Sequence, residues 1–141
     1  RTRRLAWRPV SRGGTAMRVA TSGMEGMLNA WQVMKRAGTG KAEWLETCRK
    51  FGDWLVSAQN DDGSYYLAYS HQLTDGKHLP TESSKSTAMN PIRFLVMLHR
   101  ATRDDRYRDA ALRAGTFSLT HTHERYHYVG SVIDTPPVAI D

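Results

Sequence analysis

Apolar residues recur at helical spacing in four segments of the chain, and the first two segments form a pair. Between residues 15 and 37 they stand at Met17, Ala20, Met24, Met27, Leu28, Trp31 and Met34. Between residues 41 and 58 they stand at Trp44, Leu45, Cys48, Phe51, Leu55 and Ala58. This spacing gives each helix one apolar stripe and predicts helices over 15–37 and 41–58. Thr15 is the expected cap of the first helix, and Gly38-Thr39-Gly40 is the expected turn.

The second pair of segments carries clear start signals. Asn90 and Pro91 favour a helix start, because asparagine caps helices and proline suits the first turn. Asp104 or Asp105 is placed to cap the following helix. The spacing predicts helices over 90–102 and 105–122, with inward-facing residues Ile92, Leu95, Val96 and His99 on the first and Tyr107, Ala111, Ala114, Phe117 and His121 on the second.

The segments outside these helices are predicted to be loops. Residues 59–88 are rich in Gly, Ser, Asp and His, and the segment from Glu124 onward contains Gly130 and Pro136-Pro137. We therefore expect an all-α fold with no substantial sheet. Extended pieces at 65–69 and 126–129 are expected to cover a few residues at most.

The two helical pairs resemble each other and indicate a repeat. Met34-Lys35-Arg36-Ala37 corresponds to Leu98-His99-Arg100-Ala101, and the residues around Trp44 correspond to those around Tyr107. Repeated αα-hairpins bury their apolar faces by stacking on neighbours, and two hairpins leave such faces uncovered. Residues 1–141 are therefore expected to form a single helical unit of a larger domain. The expected partners are copies of the chain or the remaining hairpins of the same protein.

Composition narrows the class of protein. The 40% hydrophobic and 24% charged content is ordinary for a soluble globular protein. No apolar run has the length of a membrane span, so no membrane partner is expected. No signal peptide is visible, which slightly favours the cytoplasm. The single cysteine, Cys48, excludes an intramolecular disulfide and a Cys-rich zinc site.

The net charge of +6 raises the question of nucleic acid. Basic residues gather at the start of the chain, at Arg1, Arg3, Arg4, Arg8 and Arg12. No RNP, zinc-finger or helix-turn-helix signature accompanies them, so nucleic acid is not an expected partner. His121, His123 and His127 lack a further ligand at metal-binding spacing, so we expect no metal and no cofactor.

A turn-forming segment after the second helix combines carboxylates with aromatic rings. Asp61 and Asp62 stand shortly before Tyr65, Tyr66 and Tyr69. Aromatic rings stack on the apolar faces of sugars, and carboxylates transfer protons at glycosidic bonds. Adjacent aspartates repel each other, which can raise the pKa of one of them enough for it to act as an acid. The alternative is an ordinary turn whose tyrosines pack on the domain.

Further candidates follow from the expected topology. Because both tight turns fall at one end of the hairpins, the three long segments share the opposite end. These segments add Trp7 as an aromatic surface, Glu124 as a carboxylate and Arg125 as a bidentate partner for a uronate carboxylate. Glu25 stands between two glycines, and it is either a solvated helix position or a carboxylate that faces the lumen of a ring.

Three motifs resemble those of a known group of proteins. They are Gln59-Asn60-Asp61-Asp62-Gly63-Ser64-Tyr65, then Asn90-Pro91-Ile92-Arg93-Phe94-Leu95 with Asp104-Asp105-Arg106-Tyr107, and finally His123-Glu124-Arg125-Tyr126. Similar segments recur in (α/α)6 toroids of the six-hairpin glycosidase type, including glucuronyl hydrolases, and this chain covers about a third of such a ring. The first motif also resembles the repeat of terpenoid cyclases, but it occurs once and has Tyr65 where those repeats carry tryptophan.

The resemblance implies a carbohydrate-active enzyme, glycoside hydrolase-like, that acts on a polysaccharide or a uronate-containing oligosaccharide. Its catalytic candidates are Asp61, Asp62, Glu25 and Glu124, and its substrate-binding candidates are Trp7, Tyr65, Tyr66, Tyr69 and Arg125. The alternative is a non-catalytic helical-hairpin module that presents its loop face to a partner. A carboxylate pair in an aromatic-walled pocket favours the enzyme, whereas carboxylates held in salt bridges favour the module.

Overall fold

The computed structural model describes residues 14–81, 85–86, 89–121 and 131–132, and these residues are predominantly helical. They contain four helices, α1 (Met17–Arg36), α2 (Ala42–Ala58), α3 (Met89–Thr102) and α4 (Asp105–Thr120). The predicted helices are therefore confirmed in order and, to within about two residues, in extent. None of the described helices is both long and apolar enough to cross a bilayer. The expected extended piece at 126–129 lies outside the described residues.

Local sequence explains the start of α4 and the turn after α1. Asp104 caps α4, since its Oδ1 accepts a hydrogen bond from the Arg106 amide at 3.0 Å. The turn after α1 contains Gly38 with a φ of 75°, which glycine adopts without strain. The predicted cap of α1 is wrong, because Thr15 lies in a strand. The first amide of α1, that of Met17, instead donates to the Leu67 carbonyl oxygen at 2.7 Å.

The hydrophobic core lies around α3, which packs against the other three helices. Every helix contributes fully buried side chains, among them Leu28, Cys48, Leu55, Phe94, Leu95, Leu98, Tyr107 and Ala114. Each large side chain buried in this way stabilises the fold by about 1.5–3 kcal/mol. Gly52 permits the closest approach, because a Cβ there would lie 2.3 Å from Leu98 Cδ2 and 2.9 Å from Tyr107 Cε1.

The two hairpins stack with corresponding helices side by side. Glu25 of α1 contacts Arg93 of α3 in the first half of each helix, and side chains from the last turns of both line one concavity. On the other side of the core, the Tyr107 hydroxyl of α4 donates to Asp53 Oδ1 of α2 at 2.9 Å. The tight turns therefore lie together at one end, and residues 59–81 lie at the other.

The segment after α2 forms strands, so the prediction of a loop without substantial sheet is wrong there. The strands are β1 (Gly14–Ala16), β2 (Tyr65–Tyr66), β3 (Ala68–Thr74), β4 (Lys77–Pro80), β5 (Lys85–Ser86) and β6 (Ser131–Val132). They form two antiparallel sheets, in the orders β1-β3-β4 and β2-β5-β6. The all-α class thus describes the helical body, beside which these small sheets lie.

The β3–β4 hairpin has a two-residue turn that the sequence encodes. Asp75 and Gly76 both have positive φ, 50° and 73°, and Thr74 pairs with Lys77 across them. Asp-Gly is among the strongest signals for such a turn, because its geometry matches the twist of the flanking strands. Asp and Gly are also typical loop formers, and the prediction of a loop over 59–88 follows from that second property.

Candidate functional site

Gln59 fixes the end of α2 to α4. Its Nε2 donates to the carbonyl oxygens of Ala110 at 2.9 Å and Gly63 at 3.1 Å. Its Oε1 accepts from Arg113 Nε at 2.9 Å and Nη2 at 2.6 Å. Gly63, with a φ of 88°, lies directly against the Arg113 carbonyl. These four residues form what we term the Gln59 clasp, which gives the glutamine and glycine of the motif a structural role.

Asp62 is an engaged carboxylate rather than an acid. Its Oδ1 accepts from the Ser64 amide at 3.0 Å and from Ser64 Oγ, and its Oδ2 lies 2.7 Å from Lys85 Nζ. Burial raises the pKa of Asp62, but the hydrogen bonds from Lys85 and Ser64 outweigh burial and lower this pKa to about 2. The hypothesis that repulsion raises its pKa is therefore wrong.

Asp61 makes none of the contacts that hold its neighbour Asp62. It is exposed, and among the described residues it makes no hydrogen bond or ion pair. The turn thus points the two adjacent carboxylates to different surroundings. Of the three catalytic candidates that the structure describes, Asp61 is the one whose oxygens are open to a ligand.

Two of the three tyrosines predicted to bind sugar belong to the core. Tyr65 is fully buried, and its hydroxyl has no hydrogen-bond partner among the described residues. Tyr69 is 5% exposed, and its hydroxyl accepts from the Tyr66 amide at 3.1 Å and donates to the Ala58 carbonyl oxygen at 3.4 Å. A stacking role for Tyr65 is therefore wrong, since its faces are covered by protein. Tyr66 is half-buried and contacts the Tyr69 ring.

Glu25 is buried and paired, so the prediction of a solvated helix position is wrong, while a position that faces the lumen of a ring stays a prediction. Its side chain is 7% exposed, and both carboxylate oxygens accept hydrogen bonds from the Arg93 guanidinium, from Nε at 3.0 and 2.9 Å. Arg93 Nη2 donates as well, and the hydrogen bonds and charge of Glu25 raise the pKa of Arg93. No described atom lies within 4 Å of a Cβ added at either of the flanking glycines, Gly23 and Gly26.

An aromatic-walled groove lies between α1, α2 and the β3–β4 hairpin. We term it the aromatic groove; its volume is about 460 Å³, and Phe51, Trp54 and Tyr69 form its wall. Trp54 joins the rings, with centroids 5.4 Å from Phe51 and 5.1 Å from Tyr69 in a T-shaped contact. Met17 and Met24 of α1 complete the apolar surface. These distances are those of favourable aromatic packing.

Polar side chains stand beside the rings. Lys50 and His71, both exposed, line the groove, together with half-buried His78. His78 Nδ1 lies 2.8 Å from the Ser70 carbonyl oxygen, which can only accept, so Nδ1 carries the proton and Nε2 is an acceptor in the neutral ring. None of the described residues that line the groove is a carboxylate. The groove therefore offers rings, donors and positive charge.

The structure brings together only some of the predicted site residues. Tyr69 lies in the aromatic groove, whereas Asp62 and Tyr66 meet at Lys85, the first as its ion pair and the second as its partner in the β2–β5 register. Glu25 lies apart from both, between α1 and α3. Three candidates, Trp7, Glu124 and Arg125, lie outside the described residues.

Sequence reasoning missed most residues of the groove. The spacing places Phe51 on the apolar stripe of α2 but leaves Trp54 off it, and it predicts a loop at His78, so no motif joins the three residues. The signal that was present is the Asp75-Gly76 turn, which predicts a hairpin that carries residues 71 and 78 on paired strands. Helical spacing alone does not say that Trp54 lies at the edge of the core rather than inside it.

No group of three or more histidine, cysteine or acidic side chains within the described part of the chain is arranged to hold a metal ion. Comparison of the chain with protein-family models, with curated proteins and with solved structures finds no match. Function is therefore inferred from the geometry of the described residues.

Proposed function

We propose that this chain is part of a carbohydrate-active protein built from stacked αα-hairpins, and that the aromatic groove binds a saccharide. The observation that carries this proposal is the meeting of Phe51, Trp54 and Tyr69 in one wall. Sugar rings place their apolar faces on aromatic side chains, while neighbouring polar groups bind the hydroxyls. The groove volume of about 460 Å³ falls within the usual range for small-molecule sites.

The polar groups of the groove suit hydroxyl and carboxylate groups of a glycan. Lys50 supplies three donors and a positive charge, and in the neutral form of His78 the Nε2 atom is an acceptor because Nδ1 donates to the Ser70 carbonyl oxygen. His71 adds a second imidazole. A uronate-containing oligosaccharide, which carries both hydroxyls and carboxylates, matches this set better than an apolar ligand does.

The arrangement of the helices supports the toroid as the setting of the groove. Corresponding helices of the two hairpins, α1 with α3 and α2 with α4, lie side by side, and stacking of this kind extends to further hairpins. In the proposed ring, the uncovered helix faces of this chain contact the remaining hairpins of the same protein or a second copy.

The proposed role of the described residues is to bind and orient the glycan. Glycoside hydrolysis by acid/base chemistry uses two carboxyl groups about 5–9.5 Å apart, and no described carboxylate lines the groove. Glu25 and Asp62 are held in ion pairs. In a glycoside hydrolase-like enzyme, Asp61 is the described candidate with free oxygens, and Glu124 is the candidate for its partner.

A non-catalytic interaction module is the second candidate, and a specific observation favours it. Two of the three described catalytic candidates, Glu25 and Asp62, form salt bridges, with Arg93 and Lys85 respectively. Carboxylates held in salt bridges are expected if the chain is a non-catalytic interaction module. The aromatic groove, which a flat module surface would lack, is the reason that we place saccharide binding first.

Saccharide binding is tested by titrating the chain with neutral and uronate-containing oligosaccharides, followed by tryptophan fluorescence and calorimetry. Trp54→Ala should weaken binding by about tenfold or more, equivalent to at least about 1.4 kcal/mol. Trp44→Ala is the matched control, because Trp44 is also half-buried on α2 but does not line the groove. Circular dichroism checks the fold of both variants.

The outcomes separate the candidates. If the unmutated chain binds no oligosaccharide, or if both tryptophan variants weaken binding equally, the groove is not a saccharide site. In a separate measurement, the turnover of the unmutated protein is compared with that of Asp61→Asn and of Glu124→Gln. Loss of about 10²–10⁴ in rate with either variant supports the enzyme. Binding without turnover in the full-length protein supports a non-catalytic role.

A further inference from the structure

Basic side chains gather on a second concave surface, whose lining is separate from that of the aromatic groove. The last turns of α1 and α3 lie side by side at the tight-turn end, where Lys35, Arg36 and Arg100 line a concavity of about 760 Å³. All three side chains are exposed. Asn29 and Gln32 of α1 line the same concavity. We term these five residues the cationic shelf, and they share no lining residue with the aromatic groove.

The charge of the shelf is not balanced by an ion pair within the described part of the chain, and Lys35 also lines a neighbouring concavity that contains Glu43 and Glu46. No aspartate or glutamate is among its described lining residues. Lys35, Arg36 and Arg100 form no ion pair with any described residue, whereas Arg93, Arg106 and Arg108 each do. Three exposed cations in one concavity attract anions, and each cation raises the local potential for the others.

Helix dipoles explain these cations only in part. Basic residues near a helix C-terminus are stabilising there by about 0.3–1 kcal/mol, and Lys35, Arg36 and Arg100 all stand in last turns. However, α2 and α4 have no basic residue in their last turns. The cations are thus concentrated where two helices end together, which is an arrangement suited to a ligand with several charges.

We propose that the cationic shelf binds an acidic polysaccharide, as a second site separate from the aromatic groove. Exposed guanidinium and ammonium groups pair with carboxylates, and the amides of Asn29 and Gln32 can bind hydroxyls of the same sugars. Single-stranded nucleic acid is the less suited polyanion, because it needs exposed rings for base stacking. Trp31 is the aromatic residue that lines the same concavity; it is 8% exposed, and its ring centroid lies 4.9 Å from Lys35 Nζ.

The test uses a fluorescently labelled oligogalacturonate, whose binding to the chain is followed by anisotropy. The shelf variant is Arg36→Gln/Arg100→Gln. Its control, Arg18→Gln/Lys77→Gln, removes the same charge from exposed positions outside the shelf. The shelf variant should weaken binding about fivefold to tenfold, as two exposed charge contacts do, and the control by less than about twofold. Added salt should weaken binding of the unmutated chain.

Three outcomes overturn the proposal. The first is that the oligogalacturonate does not bind, or that its neutral analogue with reduced carboxyl groups binds equally well. The second is that both double variants weaken binding equally, which shows a response to net charge alone. The third is that duplex DNA displaces the oligomer at lower concentration, which assigns the shelf to nucleic acid. Because the aromatic groove is itself proposed to bind uronate-containing oligosaccharides, the shelf and control variants are also compared in the Trp54→Ala background, where the difference between them should persist.

Discussion

The α-carbon of Gly63 faces the carbonyl oxygen of Arg113 with no room for a side chain between them. A Cβ at position 63 would lie 2.3 Å from that oxygen and 2.7 Å from the carbonyl carbon. Since the obstacle is helix backbone, it cannot rotate away as a side chain would. The contact joins the turn after α2 to the middle of α4, and the Gln59 clasp holds the two together by hydrogen bonds.

Replacing Gly63 by alanine should therefore lower the free energy of unfolding by more than conformational strain alone. Both Gly63 and Gly76 have positive φ, 88° and 73°, which costs an alanine about 1–2 kcal/mol. Gly76→Ala meets no atom within 4 Å and serves as the matched control. Gly63→Ala should cost at least about 1 kcal/mol more, measured by urea denaturation. Equal losses would show that the close approach to α4 is absent.

Asp62 should make the stability of the fold sensitive to acid. Its pKa is about 2 in the folded chain, compared with an ordinary value of 3.8. A carboxyl group whose pKa is lowered on folding contributes stability that is complete above pH 3.8 and disappears as the pH falls towards 2. Asp62→Asn should therefore make the melting temperature less dependent on pH between about 2 and 3.8. Asp61→Asn leaves the contacts of Asp62 with Ser64 and Lys85 in place. Its melting temperature should therefore depend on pH as steeply as that of the unmutated chain.

The two buried tyrosine hydroxyls should contribute unequally to stability. Tyr69→Phe removes hydrogen bonds to the Tyr66 amide and the Ala58 carbonyl, and it should cost about 1 kcal/mol. Tyr65→Phe removes a hydroxyl that has no partner among the described residues, so it should cost less than about 0.5 kcal/mol or stabilise the fold. Thermal unfolding measures both. A larger loss for Tyr65→Phe would reveal a partner for its hydroxyl.

Replacing Arg93 alone should reveal how much the ion pair between Glu25 of α1 and Arg93 of α3 contributes to stability. Arg93→Gln leaves the buried carboxylate of Glu25 without its cation, and we expect a loss of about 1–3 kcal/mol in the free energy of unfolding. Glu25→Gln/Arg93→Gln should recover part of this loss, because a neutral amide is easier to bury. Arg18→Gln, an exposed position on α1, should change stability by less than about 0.5 kcal/mol. Glu25→Gln alone completes the double-mutant cycle, so denaturation of all variants gives the coupling energy, and a value near zero would contradict the pairing.

The helices were predictable because several local signals agree. Apolar spacing, the Asp104 cap and the Gly38 turn all point to the same boundaries, and each depends on residues close in sequence. The stripe positions Leu28, Cys48 and Leu55 are indeed buried. The strands are harder to predict because turn formers are frequent in residues 59–88 and favour a loop, although Asp75-Gly76 is itself a hairpin signal.

The site was less predictable because burial depends on contacts between distant segments. Tyr65, Tyr66 and Tyr69 look alike in sequence, yet two of them are buried by helices that the local pattern does not locate. Glu25 falls on the polar side of the α1 pattern, but α3 covers it there with Arg93. Residues that line the aromatic groove come from two helices and two strands, so no single motif contains them.

The tip of the β3–β4 hairpin extends away from the core, and this has a practical use. Residues 71–77 are exposed, and an added Cβ at Gly76 would meet no neighbour. Lengthening an exposed turn costs little loop-closure entropy, about 0.6 kcal/mol per doubling of its length. A peptide tag or a labelling sequence inserted between Asp75 and Gly76 would therefore report on the protein at the tip of this hairpin, with the four-helix body left intact.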